Sequence, residues 1–373
     1  MNYSIYPTYD TTLYEKHSRR NTGIDQILEL DKTVPNIPDL FGIYWGDTYN
    51  SRILIKFDIP YINRLIQAGT VNRLANYYLI LKATEARELP LTFTLKVHPL
   101  ARNWVNGQSY YYNEPESTVG ASWVYRDGYY FNTGTEWYSG SLSGNETGSY
   151  ASVEGGGIWY TYPSASITLD YVHIPDVRID VTSIVHQWLS GTLPNYGFII
   201  KHTDELEQNS EFVGSVKFFS RDTHTIYIPR LEMTWDDSEY SGINSYSEVD
   251  DNFTIYFSNI KKQYRSSSKE IFRIAARDLN PPVTYSTSSR FLQVKRLPTS
   301  SYYAIQDYVT TDYIIPFDTG STKISVDNKG NYFRVDMNTF LPDRFYKIII
   351  KTVKENGKVE QIFDEGYYFK VVR

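Results

Sequence analysis

The chain of 373 residues carries 37 Lys and Arg against 43 Asp and Glu, and its formal charge of −6 gives no electrostatic reason to expect nucleic acid or a membrane as partner. The absence of cysteine excludes disulfides, thiolate zinc sites and cysteine nucleophiles. Hydrophobic content of 41% with 21% charged residues marks a globular chain, and the length fits two or three domains of about 100–200 residues each.

Aromatics reach 16%, led by 35 tyrosines. Tyrosine pairs a large apolar body with a polar tip, so it suits half-buried strands and contact surfaces. The opening stretch Met1–Lys16 has no apolar core of signal-peptide length, and no later run approaches about 18 apolar residues. The expectation is a protein made in a cytosol that leaves it, if at all, by a route such as assembly into a particle released by lysis.

Strand patterns dominate in chain order. Ser51–Pro60 alternates Ile53, Ile55 and Phe57 against Leu54, Lys56 and Asp58, and ends at proline. Ala75–Glu85, Leu91–Leu100, Tyr196–His202, Ser215–Asp222 and Arg230–Asp237 follow as further strands. Helical patterns are confined to "YINRLIQAG" and "VTSIVHQWLSG", each stopping at glycine. Residues 106–163 form a long insertion rich in Gly, Ser, Asn and Tyr, a texture that carries binding or packing more often than none. Residues 237–250 are acidic and polar and read as a linker. Strands then resume, with "VDNKGNY" and "KENGKVE" placing Asn and Gly where hairpin turns need them. The pattern predicts an all-β protein: a jelly-roll β-sandwich over 1–236 and an immunoglobulin-like β-sandwich over 251–373.

The N-terminal part resembles a known family. "SRILIKFDI", "VHPLARNWVNGQ", "RIDVTSIVHQWLSGTLPNYGFIIKH" and "FFSRDTHTIYIPRLEMTW", in that order, resemble the disaggregatase-related (DNRLRE) domain over roughly residues 8–236. The resemblance implies a non-catalytic jelly roll similar to carbohydrate-binding modules. Such domains occur on bacterial surface proteins, on polysaccharide-active proteins and in phage structural proteins. It also implies that a structural calcium can be held, by ligands the sequence does not identify. The insertion at 106–163 departs from the family pattern. The final stretch from Tyr313 to Val372 is similar to terminal domains of virion structural proteins of tailed phages. Together these imply a virion component whose partners are other virion proteins and copies of itself, with host glycans as the alternative.

The chemistry-bearing residues point the same way. Ser183, His186 and Asp180 lie too close in sequence for a triad drawn from separate elements. Ile184, Val185, Trp188 and Leu189 instead share one helix face, with Asp180 or Thr182 as cap and Gly191 as stop, so Asp176–Lys201 reads as architecture. The six histidines (17, 98, 173, 186, 202 and 224) lack metal-ligand spacing, and no zinc or other cofactor is expected; His202 and His224 read as surface residues. Thr203–Glu211 reads as a solvated acidic loop, and Asp327, Asn328 and Gly330 as a hairpin turn, not a calcium loop. The binding candidates are Tyr110, Tyr111, Tyr112, Trp123, Trp137 and Trp159 of the insertion. They could form a sugar-stacking platform, bury against a neighbouring subunit, or pack among themselves.

Overall fold

The computed structural model describes residues 1–33, 49–87, 89–112, 117, 119–128, 134–138, 142, 144–148, 155–170, 176–208, 214–241, 244, 246–280, 285, 295–354 and 359–373. The fold is all-β, with 47% strand and 9% helix, and its antiparallel sheets form β-sandwich units. The chain divides into two compact units: Ile5–Glu232, and Met1–Ser4 together with Met233–Arg373.

The Ile5–Glu232 unit is built on a curled sheet of eight strands. Its spatial order runs Ala165–Asp170, Thr92–Pro99, Phe198–His202, Tyr49–Lys56, Ile27–Thr33, Gly214–Phe219 and Ala83–Arg87, and Tyr9–Tyr14 also pairs with Tyr49–Lys56. A shorter sheet pairs Asn76–Leu81 with Val177–Asp180, with Arg230–Glu232 beside the former. The strand read from Ser51 runs from Tyr49 to Lys56, and its sequence alternation suggests one wet face. In the structure Ile53, Leu54 and Ile55 are all fully buried. The reason is the insertion. Leu54, Leu13 and Ile199 of the sheet share a core with Trp104, Trp123, Trp137 and Trp159, so the insertion roofs the face that the alternation leaves open to solvent.

Both predicted helices form. Ile59–Gln67 is capped by Asp58, whose side chain accepts from the Tyr61 N–H at 3.0 Å. Thr182–Ser190 ends at Gly191 in the left-handed conformation and buries Ile184, Val185 and Trp188. Its start differs from expectation: the N-cap is Val181, which makes no side-chain bond, while Asp180 accepts from the Thr182 N–H at 2.9 Å. The Thr182 hydroxyl instead accepts from the Tyr77 N–H at 2.8 Å, tying helix to sheet. His186 lies off the apolar stripe, 3.3 Å from the Ala75 carbonyl.

The second unit holds a four-stranded sheet, ordered Phe253–Phe257, Lys269–Asp278, Gly330–Asp336 and Ser325–Asp327. A second sheet contains Gln263–Arg265, Tyr368–Val372, Phe345–Lys354, Ser301–Asp307 and Tyr313–Ile315, with Val359–Phe363 pairing on Phe345–Lys354. Its core is aromatic: Phe333 stacks on Phe272 at 5.3 Å and on Tyr303 at 4.1 Å. Asp327 and Gly330 face each other across a two-residue hairpin turn, and Asp327 pairs with Arg273 at 2.6 Å, so no cation is needed there. The turn over 355–358 lies outside the described residues.

The expected boundaries shift. Residues 1–4 and 233–250 pack with the C-terminal unit, and the described part of 237–250 is not a free linker. Val249 is buried in the aromatic core, the Val326 N–H donates to the Glu239 carbonyl at 2.8 Å, and Tyr332 donates to the Glu239 carboxylate at 2.8 Å. An acidic, polar stretch pairs along a sandwich as well as it solvates when arginine and tyrosine partners are presented to it.

Trp137 is fully buried and donates to the Ser122 carbonyl at 2.9 Å. Trp137→Ala is expected to cost about 3–5 kcal/mol of stability, whereas Tyr112→Ala on the surface should stay within about 0.5 kcal/mol. Chemical denaturation of both variants checks the contrast.

Candidate functional site

Two features of the Ile5–Glu232 unit concentrate polar side chains: a buried ionic cluster beneath the insertion, and an open groove. The cluster begins with Arg52, whose side chain is 1% exposed. Its guanidinium lies 4.8 Å from the Trp123 ring and 5.0 Å from the Trp159 ring, a cation between two π faces. Nε and Nη2 donate to the two oxygens of Glu207 at 3.1 and 2.6 Å, and Nη1 donates to the Gly156 carbonyl at 2.6 Å. Gly156 has φ +73°, and any Cβ there would strike both Arg52 and Trp123, which explains a glycine at this closest approach.

Lys201 is fully buried in the same cluster, 2.5 Å from Asp204 and 3.1 Å from Glu207. Lys32 donates to the Leu206 carbonyl. Burial alone would raise the Glu207 carboxyl, but Arg52 and Lys201 outweigh it and hold it below the usual range. The same setting keeps two histidines neutral. Burial, then repulsion from Lys201, brings His98 down to about 4. Burial is again the largest cause for His202, also at about 4, with Lys201 and Lys32 adding to it against the pull of Glu207. His202 is therefore a core residue and not the surface residue expected. Thr203–Glu211 is likewise no solvated loop in its described part: Asp204–Gln208 is a short helix that carries Glu207 into the cluster.

The groove is a recess of about 370 Å³. Tyr111 is its aromatic centre, with ring centroids 4.9 Å from Tyr14, 5.3 Å from Tyr112 and 5.6 Å from His17. Among the described residues four carboxylates line it, most of them braced by the fold. Asp25 accepts from the Tyr111 N–H at 3.1 Å, and Glu29 accepts from the Tyr14 hydroxyl at 3.1 Å. Lys217 lies 3.1 Å from Glu29 and 3.7 Å from Glu85. Asp31 completes the set, and Lys16 is the second lysine of the wall. These contacts fix the shape of the groove.

The six candidate residues thus separate. Trp123, Trp137 and Trp159 are core residues, so these three indoles offer no exposed platform and pack in one core cluster. Tyr111 and Tyr112 meet in the groove, and Tyr112 is 86% exposed. Tyr110 is exposed but stands outside the groove lining. Sequence reasoning missed Arg52, Lys201 and Glu207. The available signal was a cation on each of two strands read as core, since a buried cation requires an acid nearby. His173 lies outside the described residues. Among the described residues no group of three or more His, Asp or Glu is placed to hold a metal, and no helix is long and apolar enough to cross a membrane. No protein-family model matches the chain, and no curated protein matches it.

The ionic cluster sets the acid response. An unfolded histidine takes up its proton near pH 6.5 and folded His202 only near 4, so the unfolded state binds the extra proton between them and stability falls as pH drops through that window. His98 acts in the same direction, while Asp10, pushed up to about 7 chiefly by burial, opposes them because its folded form takes the proton first. Both ring nitrogens of His202 lack a hydrogen-bond partner. His202→Phe is therefore expected to gain about 1 kcal/mol at pH 7 and to lose less stability than wild type between pH 6.5 and 4. Urea titrations of the two proteins across that range give the comparison. Glu207→Gln leaves two buried cations without their shared counter-charge, and is expected to cost about 3–5 kcal/mol in the same assay.

Proposed function

We propose that the chain is a non-enzymatic structural component of a tailed-phage virion, in the tail or baseplate region, acting by docking to other virion proteins in a symmetric assembly. The observation that carries this reading is the groove. Its walls are braced by ion pairs and backbone hydrogen bonds of its own unit, so a recognition surface is fixed in shape before any partner arrives. The resemblance of Tyr313–Val372 to virion structural proteins, and of roughly residues 8–236 to the DNRLRE domain, supports the same reading. Neck or capsid decoration would use the same surfaces.

A second reading, a carbohydrate-binding adhesin, is favoured by one observation. Tyr14, Tyr111 and Tyr112 set three phenol rings together in a polar recess, as stacking on a sugar ring requires.

Mass spectrometry of purified particles is expected to find the chain in fixed stoichiometry with the tail proteins; particles that lack it would overturn the structural reading. Glycan-array binding that disappears in Tyr111→Ala and Tyr112→Ala would promote the adhesin reading in its place. Turnover of a host polysaccharide would overturn both.

A further inference from the structure

The pairing of Ile27–Thr33 with Tyr49–Lys56 sets Lys32 directly opposite Asn50, so their side chains leave the sheet on one face with Cβ atoms about 5 Å apart. Both are shielded from water, Lys32 being 0% exposed and Asn50 6%. Their side-chain nitrogens also end in one place. The Lys32 ammonium donates to the Leu206 carbonyl, and Asn50 Nδ2 donates to the next carbonyl along, that of Glu207, at 3.4 Å. A third buried residue joins them. Glu15, 3% exposed, accepts both the Asn50 backbone N–H and Asn50 Nδ2 on one carboxylate oxygen, each at 2.9 Å, and its own N–H donates to the Asn50 carbonyl at 3.0 Å. Glu207 is committed elsewhere, to Arg52 at 2.6 Å and to Lys201 at 3.1 Å. Asn50 Oδ1 is buried with no hydrogen-bond partner, whereas an amide placed for structure alone has both ends met.

We propose that Lys32 and Asn50 join in an intramolecular isopeptide bond, with Glu15 as the catalytic carboxylate. A buried amine, an amide carbon and a carboxylate already holding the leaving nitrogen are the three groups that such a transfer needs. An amine attacks only in its neutral form, which a water-poor setting favours. The Lys32 ammonium first gives one proton to Glu15. Its Nζ lone pair then forms a bond to Asn50 Cγ, and the π pair of the carbonyl moves onto Oδ1. Glu15 passes its proton to Nδ2, the nitrogen it holds at 2.9 Å. The carbonyl re-forms from the Oδ1 pair, and the Cγ–Nδ2 bond breaks with its electrons on nitrogen. A second proton leaves Nζ through the same carboxylate and goes out with the departing nitrogen. The balance is one ammonium and one amide converted to a secondary amide and a free ammonium ion, with Glu15 restored and no co-reactant consumed. The bond ties the two strands to each other whatever the chain docks to.

The test is the intact mass of the purified full chain. The wild type is expected about 17 Da below the mass of its sequence, the loss of one ammonia. Trypsin should leave Lys32 uncut, and a second protease that cuts at aspartate between the two residues should leave the pieces carrying Lys32 and Asn50 joined. Lys32→Arg and Asn50→Ala should each have the full mass of their own sequences. Glu15→Gln keeps the size of the side chain and should slow closure by about a hundredfold or more, so that freshly made protein retains the ammonia. Thermal melts verify that the variants fold, and the wild-type mass stands without them. A wild type at its full mass overturns the proposal. So does an ammonia loss that persists in Asn50→Ala or that leaves Lys32 open to trypsin, since a succinimide elsewhere in the chain would account for it. Undiminished linkage in Glu15→Gln overturns the part given to Glu15.

Discussion

One guanidinium holds the N-terminal unit in its observed form. Arg52 is caught between Trp123 and Trp159, both part of the insertion, while its other edge is clamped by Glu207 from a short helix after the strand Phe198–His202. Three segments distant in sequence therefore converge on one side chain. A surface ion pair would contribute little, because water screens it and side-chain entropy opposes it. Here the pair is dry, bidentate and enclosed by rings, so removing either partner strands a charge in the interior.

That constraint explains why the described part of a polar insertion packs as core. Glycine, serine and tyrosine dominate its sequence, yet its tryptophans find a ready apolar surface in Leu13, Leu54 and Ile199. The sheet gains a covered second face and the insertion gains a core that it could not build alone. The stretch from Tyr110 to Tyr112, at the margin of this lobe, keeps its rings at the surface, where Tyr111 and Tyr112 shape the groove. Rigid support on one side and exposed phenols on the other give this face a fixed shape.

Local signals carried much of the fold. Strand periodicity, two helices stopped near glycine and the Asp327–Gly330 turn were all legible, because each depends on residues close in sequence. The sandwich class followed from their number and spacing. What escaped were features decided by distant partners. Alternation in Ser51–Pro60 could not reveal that the outward Leu54 is roofed by another segment. Acidity in Thr203–Glu211 could not reveal that Glu207 answers two buried cations. Within the aromatic group of the insertion, sequence could not sort the three indoles that pack inward from the tyrosines that face water, since both kinds sit in the same Gly/Ser-rich texture.

The placement of a permanent positive charge between two indoles has a spectroscopic consequence. Trp123 and Trp159 feel a strong, fixed local field, whereas Trp137 is hydrogen-bonded to a neutral carbonyl. The emission of the unit is thus weighted by whether one ion pair is closed. Light from its own tryptophans reports the seating of the insertion on the sheet, with no dye attached and no residue replaced.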